Sequence, residues 1–512
     1  MSGAAAHQSD RLDRNVIVIG LVIVAGLIMV VLDTTIVNVA LDSLGRELDA
    51  PLSTTQWVVT GYLLAVALVI PVTGWAMDRF GSKPTWLSAV VFFTVGSGLC
   101  AAAWSIESLI VFRILQGLGG GMLMPAGQAM IARVAGPERM GRAMVILGVP
   151  MLLGPVFGPM LGGVLVEYAS WHWIFLVNVP VGILAVALAA WKLPSGDRAD
   201  ETGRLDWFGL IVLSGSLAAL LYGLSEASAK GGFGTADVYS WLIAGAVGLA
   251  LYTWHSLRAG SASIVDVRLL TNRLFASSTV AVFLVAIGLF GGMLLLPLYY
   301  QILRGEGAFD AGLLLAPQGL GAIVAMIIGG RLTDRIGAGY VVPVGVVIAL
   351  IGTFPFTQLS VDSSYVWLSI ALFVRGMGLG AVMMPTISSA YGDLRHDQVT
   401  GAAPTLSAIQ QVGASLGSAV LVTVLTSYFT GHLPAQAGAP SGGGSDQLSS
   451  IPPEAMPIVG PVLADAFGVA FWVAFGLTAL IIIPALFFPR HGSRTAPQGE
   501  SGAPGAAAGP AL

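Results

Sequence analysis

The chain has 512 residues, 55% of them hydrophobic and only 10% charged, with a formal net charge of −4. A soluble globular chain carries about a quarter charged residues, so this one cannot clothe a water-facing surface and must have lipid as its main solvent. A soluble enzyme and a nucleic-acid-binding domain are excluded on the same ground.

Crossing a bilayer as a helix takes roughly 20 apolar residues, because every backbone polar group must be satisfied within its own segment. Runs of that length are expected at 16–41, 56–77, 84–104, 108–132, 143–166, 173–193, 207–224, 239–257, 274–302, 311–330, 341–359, 364–391, 400–429 and 466–488, giving an all-α integral membrane chain of 14 transmembrane helices. Residues 1–14, the Gly/Ser/Pro-rich external loop at about 431–465 and the tail at 490–512 lack the apolar content to repay ordering and are expected to be irregular.

An even helix number puts both termini on one side. On this map only Arg46, Lys230 and Arg304 fall on the opposite side and only Arg113 and Arg375 lie inside helices; the rest of the 23 Lys and Arg fall on the side of the termini. The positive-inside rule makes that side cytoplasmic. Arginine outnumbers lysine 20 to 3 beside heavy Ala and Gly use, which points to a bacterial plasma membrane.

In the first helix Asp33 stands about eight residues, roughly 12 Å, from the outer end and is the one carboxylate expected well inside the hydrocarbon. Intramembrane carboxylates face a cavity, a proton path or a cationic partner; the alternative is a structural Asp that locks two helices. Asn38 follows one turn on. In the fourth helix Arg113 lies at a similar depth, with Gln116, Gly117 and Gly120 on its face. A guanidinium stays charged, so it can bias a neighbouring carboxyl but cannot release the proton itself. The fifth helix carries Gly154, Gly158, Pro159, Gly162 and Gly163, small residues for close approach together with a kinking proline.

An internal repeat runs through the chain. Gly74, Asp78, Arg79 and Gly81 recur as Gly330, Asp334, Arg335 and Gly337 at an offset of 256, and Gly117, Gly119 and Gly121 recur as Gly376, Gly378 and Gly380 at an offset of 259. Two six-helix bundles are expected, at 15–204 and 261–489, with an inserted helix pair at 205–260. Parallel repeats with a midplane site at their seam belong to transporters in which one bundle rocks against the other. The repeated Asp-Arg turns either latch the bundles together or are ordinary solvated loops. Among 16 Met, Met122, Met124, Met383 and Met384 sit in the corresponding fourth and twelfth helices, where thioethers suit an adaptable pocket. The substrate-cavity candidates are Asn38, Gln116, Gly120, Met124, Arg375 and Met383.

A single cysteine excludes an intramolecular disulfide, the six histidines show no metal spacing, and no phosphate-binding Gly-x-x-x-x-Gly-Lys-Ser/Thr pattern occurs. No metal, cofactor or nucleotide is expected.

Together these residues resemble the major facilitator superfamily, and within it the fourteen-helix drug:proton antiporter branch. The stretch from Leu32 to Leu41 looks like that branch's first-helix motif, with Asp42 at a position that is usually proline. Gly74 to Lys83 is similar to the superfamily's loop motif, Arg113-x-x-Gln116-Gly117 to its fourth-helix motif, and Gly154-x-x-x-Gly158-Pro159-x-x-Gly162-Gly163 to the antiporter motif of exporters. Trp171 to Pro180 looks like a further branch signature, with His172 for the customary arginine. The resemblance implies proton coupling by Asp33 and Arg113, a proton gradient as the energy source, and export of small lipophilic substrates; with no second carboxylate deep in this map and Asp310 only at the membrane edge, neutral or singly charged compounds are expected over dications. A dedicated exporter of one endogenous product (an antibiotic, a siderophore or a lipid) and, from another class, a non-transporting membrane receptor are the rival readings.

Overall fold

A computed structural model describes residues 13–136, 139–194, 204–395, 398–433, 451 and 455–490. The expectations for the N-terminal segment up to residue 12, for most of the loop at 431–465 and for the tail beyond 490 lie outside the described residues. The described residues are helical, without a strand.

The long elements in chain order are α1 Arg14–Glu47, α2 Trp57–Val69, which bends by 53° into Val72–Phe80, α3 Ser82–Ala101, α4 Ile106–Ala135 and α5 Met140–Tyr168. They continue as α6 Asn178–Lys192, preceded by the short helix His172–Leu176, then α7 Trp207–Lys230, α8 Ala236–Ala259, α9 Arg273–Leu298 and α10 Ala308–Ile336. Last come α11 Ala338–Thr353, α12 Tyr365–Tyr391, α13 Val399–Gly431 and α14 Met456–Ala479. Among the described residues, 12 helices are long and apolar enough to cross a membrane, and 13 when the bent pair counts as one span. The fourteen-span reading further needs α5, whose 29 residues reach about 43 Å at 1.5 Å per residue. The bend in α2 falls at Pro71, which caps the second segment and, lacking an N–H, breaks the ladder there.

The repeat read from sequence is also a repeat of packing. The pairs α1–α5, α3–α4, α2–α4 and α1–α6 in the first bundle reappear as α9–α13, α11–α12, α10–α12 and α9–α14 in the second. Matching glycines set the closest approaches: Gly117 meets the Tyr62 carbonyl as Gly376 meets that of Gln318, and Gly121 abuts Val66 as Gly380 abuts Ala322. Small residues let membrane helices approach closely where no hydrophobic force drives them together. Gly81 at φ 93° and Gly337 at φ 90° end corresponding helices, in a backbone region that favours glycine.

The bundles meet where α10 and α12 lie on α5 and where α4 and Val72–Phe80 lie on α13. The inserted α7 packs on both α2 and α13. Ser214 Oγ donates to the Leu68 carbonyl (2.8 Å), Tyr222 stacks on Trp57, and Thr426 Oγ1 reaches the Gly231 carbonyl that closes α7 (3.4 Å). The first helix of the inserted pair, α7, therefore spans the seam between the bundles, and α8 packs on α7.

Candidate functional site: a buried ion pair beside an uncharged cavity

A capping box between Ser105 and Ser108 fixes the start of α4. Two turns into that helix, Arg113 turns inward and is 1% exposed. Its Nη1 donates to Asp33 Oδ2 at 2.5 Å and to Gln116 Oε1 at 2.7 Å, and its Nε donates to the Val58 carbonyl at 3.0 Å. The other carboxylate oxygen of Asp33 accepts from Gln116 Nε2 (2.9 Å) and from Asn178 Nδ2 (3.2 Å). Asn178 also donates to Ser97 Oγ, which in turn donates to the Phe175 carbonyl. Asp33 and Gln116 are wholly buried. Both oxygens of the carboxylate are thus engaged, as a charge taken out of water requires. The Arg113 guanidinium lies 4.2 Å over the Tyr62 ring, with the Phe175 ring 5.7 Å away.

Close packing holds α1 in this register. A Cβ on Gly154 or Gly158 would collide with Val31 or Thr35, on either side of Asp33, and one on Gly162 would crowd Ile36. Gly163 has nothing within 4 Å, so it takes no part in this contact.

Beside the ion pair, at the bundle seam and near the helix midpoints, lies a cavity of about 180 Å³. α1 contributes Thr34 and Val31, α2 contributes Tyr62 and Val66, α4 contributes Gly120 and Met124, and the second bundle contributes Phe290, Ser407 and Gln410. Among the described residues its wall carries no charged side chain. Gly120 and Met124 thus line it. Gln116 stands in the ion-pair cluster, and Asn38 is exposed and donates back to the Thr34 carbonyl. Met383 lines a much smaller neighbouring void with Val285 and Gln410. Arg375 is buried in the second bundle, donating to Gln318 Oε1 (2.7 Å) and the Gly288 carbonyl (3.3 Å).

At the end of the bundles where α1 begins, the two repeated segments, which fall in the last turns of their helices, each reach across the seam. Asp78 accepts from Thr400 Oγ1 of α13 (3.3 Å) and pairs with Arg133 (3.4 Å). Asp334 accepts from the Gly141 backbone N–H (3.1 Å) and from Arg142 Nε (2.6 Å), both of α5. Gly74 and Gly330 meet the Thr400 and Gly141 carbonyls in the same two places. Arg79 and Arg335 lie on the exposed side of their turns.

A family model described as Major Facilitator Superfamily matches residues 23–422. The chain belongs to that superfamily. Its members are membrane transporters, so this is a multi-pass transporter and not an enzyme. The multidrug resistance protein B homolog of Mycobacterium tuberculosis is 40% identical over 422 residues, 82% of this chain and 78% of that one. A putative multidrug resistance protein, MdtD of Cronobacter sakazakii, is 32% identical over 428 residues, 81% of this chain and 88% of that one. The solved structure of the proton:xylose symporter XylE shares the fold, with a TM-score of 0.58 at 14% identity over 92% of this chain and 96% of that one.

Within this superfamily fold, sequence reasoning placed Asp33, Arg113 and Gln116 at compatible depths, and the structure joins them. Tyr62, Ser97 and the partner role of Asn178 went unread. Asn178 left a trace, as an amide inside an apolar run, whereas Tyr62 looks like any aromatic in a membrane helix.

Proposed function

We propose that this transporter is a proton-coupled antiporter that exports small lipophilic molecules across the bacterial plasma membrane, with both termini cytoplasmic. The observation that carries the reading is the Asp33 carboxylate, buried on Arg113, Gln116 and Asn178 beside a cavity whose described wall residues carry no charge. A proton arriving on Asp33 Oδ2 cancels the charge that Arg113 pairs with and releases one of the two hydrogen bonds of Nη1, so the protonated and ionised forms favour different arrangements of α1 and α4. Exchange needs only that proton and substrate prefer different states of one two-state molecule. The proton gradient supplies the energy, and no nucleotide or metal has a part. An apolar midplane cavity suits neutral or weakly charged substrates, and relatives that carry multidrug resistance names support the same class.

The test is efflux of a panel of lipophilic dyes from proteoliposomes, with and without an imposed proton gradient, for wild type and Asp33→Asn. Gradient-dependent efflux that disappears in the variant is expected. Undiminished coupled transport in Asp33→Asn overturns the proton assignment, and efflux indifferent to the gradient overturns antiport.

A further inference from the structure

The seam cavity holds two hydroxyls that no protein group satisfies. Tyr62, 1% exposed, lines it from the first bundle and leaves its Oη without a hydrogen-bond partner; Ser407, 6% exposed, lines it from α13 and leaves its Oγ in the same condition. Other unpaired buried groups, such as Trp86 Nε1 and Tyr300 Oη, do not line this cavity. By contrast the wall hydroxyls of Thr34 and Thr35 are spent on α1 carbonyls. Buried polar groups are paired as a rule, by protein or by ordered water, and these two hydroxyls border a cavity whose occupant can supply the partner they lack.

We propose that Tyr62 Oη and Ser407 Oγ are the two polar poles, one per bundle, of a site for a neutral lipophilic molecule carrying a hydroxyl or carbonyl group. Gly120 makes room for the first pole, since a Cβ there would lie 2.6 Å from Tyr62 Oη. With no charged side chain among the described wall residues, a bare ammonium or carboxylate would lose its hydration without a counter-charge. A neutral hydrogen-bonding group gains what the two hydroxyls lack. Tyr62 also touches the proton-exchanging cluster, because its ring lies under the Arg113 guanidinium. A ligand that turns the phenol shifts the ring and with it the cation resting on its face. This link to transport rests on the antiporter reading; the ligand chemistry does not.

The experiment measures binding of naphthalene, 2-naphthol and 2-naphthylmethylammonium to the purified full chain in lipid nanodiscs, without a gradient, for wild type, Tyr62→Phe and Ser407→Ala. Wild type should bind 2-naphthol about fivefold more tightly than naphthalene and more tightly still than the ammonium compound. Each variant should erase most of the naphthol preference while leaving naphthalene unchanged. Tyr62→Phe keeps the ring under Arg113, and Ser407→Ala tests the pole from the other bundle. Equal binding of naphthol and naphthalene by wild type, a preference for the cation, or a loss in both variants that is the same for both neutral ligands overturns the proposal. Failure of gradient-driven efflux alongside the expected binding ratios sinks the antiporter reading and leaves the ligand site standing.

Discussion

Arg113 has three separate partners, and Asp33 supplies the one formal counter-charge among them. Removing one member of a buried pair is costlier than the pair is worth, because the survivor stays buried and charged, at about 3–5 kcal/mol. Arg113→Ala is therefore expected to lower the thermal stability of the detergent-purified protein as well as abolish coupling. Asp33→Asn, which keeps the shape and some of the hydrogen bonds, should retain more of the folded fraction. Size-exclusion profiles and thermal melts of both variants check this; equal stability of Arg113→Ala and wild type would contradict the burial. Asn178→Leu removes one donor to Asp33 and one to Ser97, a loss on the order of 1 kcal/mol each. It should slow gradient-driven efflux several-fold in proteoliposomes while substrate affinity holds. Asp33 was legible in the sequence as an expensive group in an apolar run. Of its amide partners, Gln116 was marked by its place on the Arg113 face, whereas Asn178 was not, since an Asn in a membrane helix has many uses and only distance picks one out.

α1 and α5 touch through glycines, so their contact is sensitive to single methyl groups. Gly158 faces Thr35, and Gly163, five residues on, faces nothing within 4 Å. Gly158→Ala is expected to destabilise by about 1–3 kcal/mol through overpacking and to displace α1 near Asp33. Gly163→Ala should be close to neutral. Parallel thermal melts and efflux assays separate the two, and similar behaviour of both variants would refute this helix contact. The glycine run itself is plain in the sequence, but its four glycines look interchangeable there. Which of them packs depends on the rotation of α5 against α1, a property of the pair and not of either helix.

For the whole molecule, the two Asp-bearing segments apply the same rule twice, each hydrogen-bonded to a helix of the other bundle, Asp78 to α13 and Asp334 to α5. Arg142 and Asp334 are both mostly shielded, so solvent and salt screen their pairing little. Asp334→Asn is expected to shift the population toward the state open at that side. Spin-label distances between the terminus-side ends of α5 and α10 should lengthen in the variant, and an unchanged distance distribution would count against a latch. The one native cysteine, Cys100, is buried, which favours such labelling. Double substitution with Arg142→Gln should be non-additive, by on the order of 1 kcal/mol, if the two act as one unit.

The sequence by itself determined a lipid-solvated all-helical chain, its repeat and the two buried charges Asp33 and Arg113 at similar depths, because hydropathy, glycine spacing and the cost of charge in hydrocarbon act locally along the chain. The order in which helices meet was settled only by the tertiary structure. It seated α7 of the inserted pair across the bundle seam, gave Asp78 and Asp334 their partners Thr400 and Arg142 in the other bundle, and brought Tyr62 of one bundle and Ser407 of the other to one cavity. The pairings of Asp78 with Thr400 and of Asp334 with Arg142 join residues far apart in the chain, and no local preference encodes them; they exist only once two bundles pack face to face.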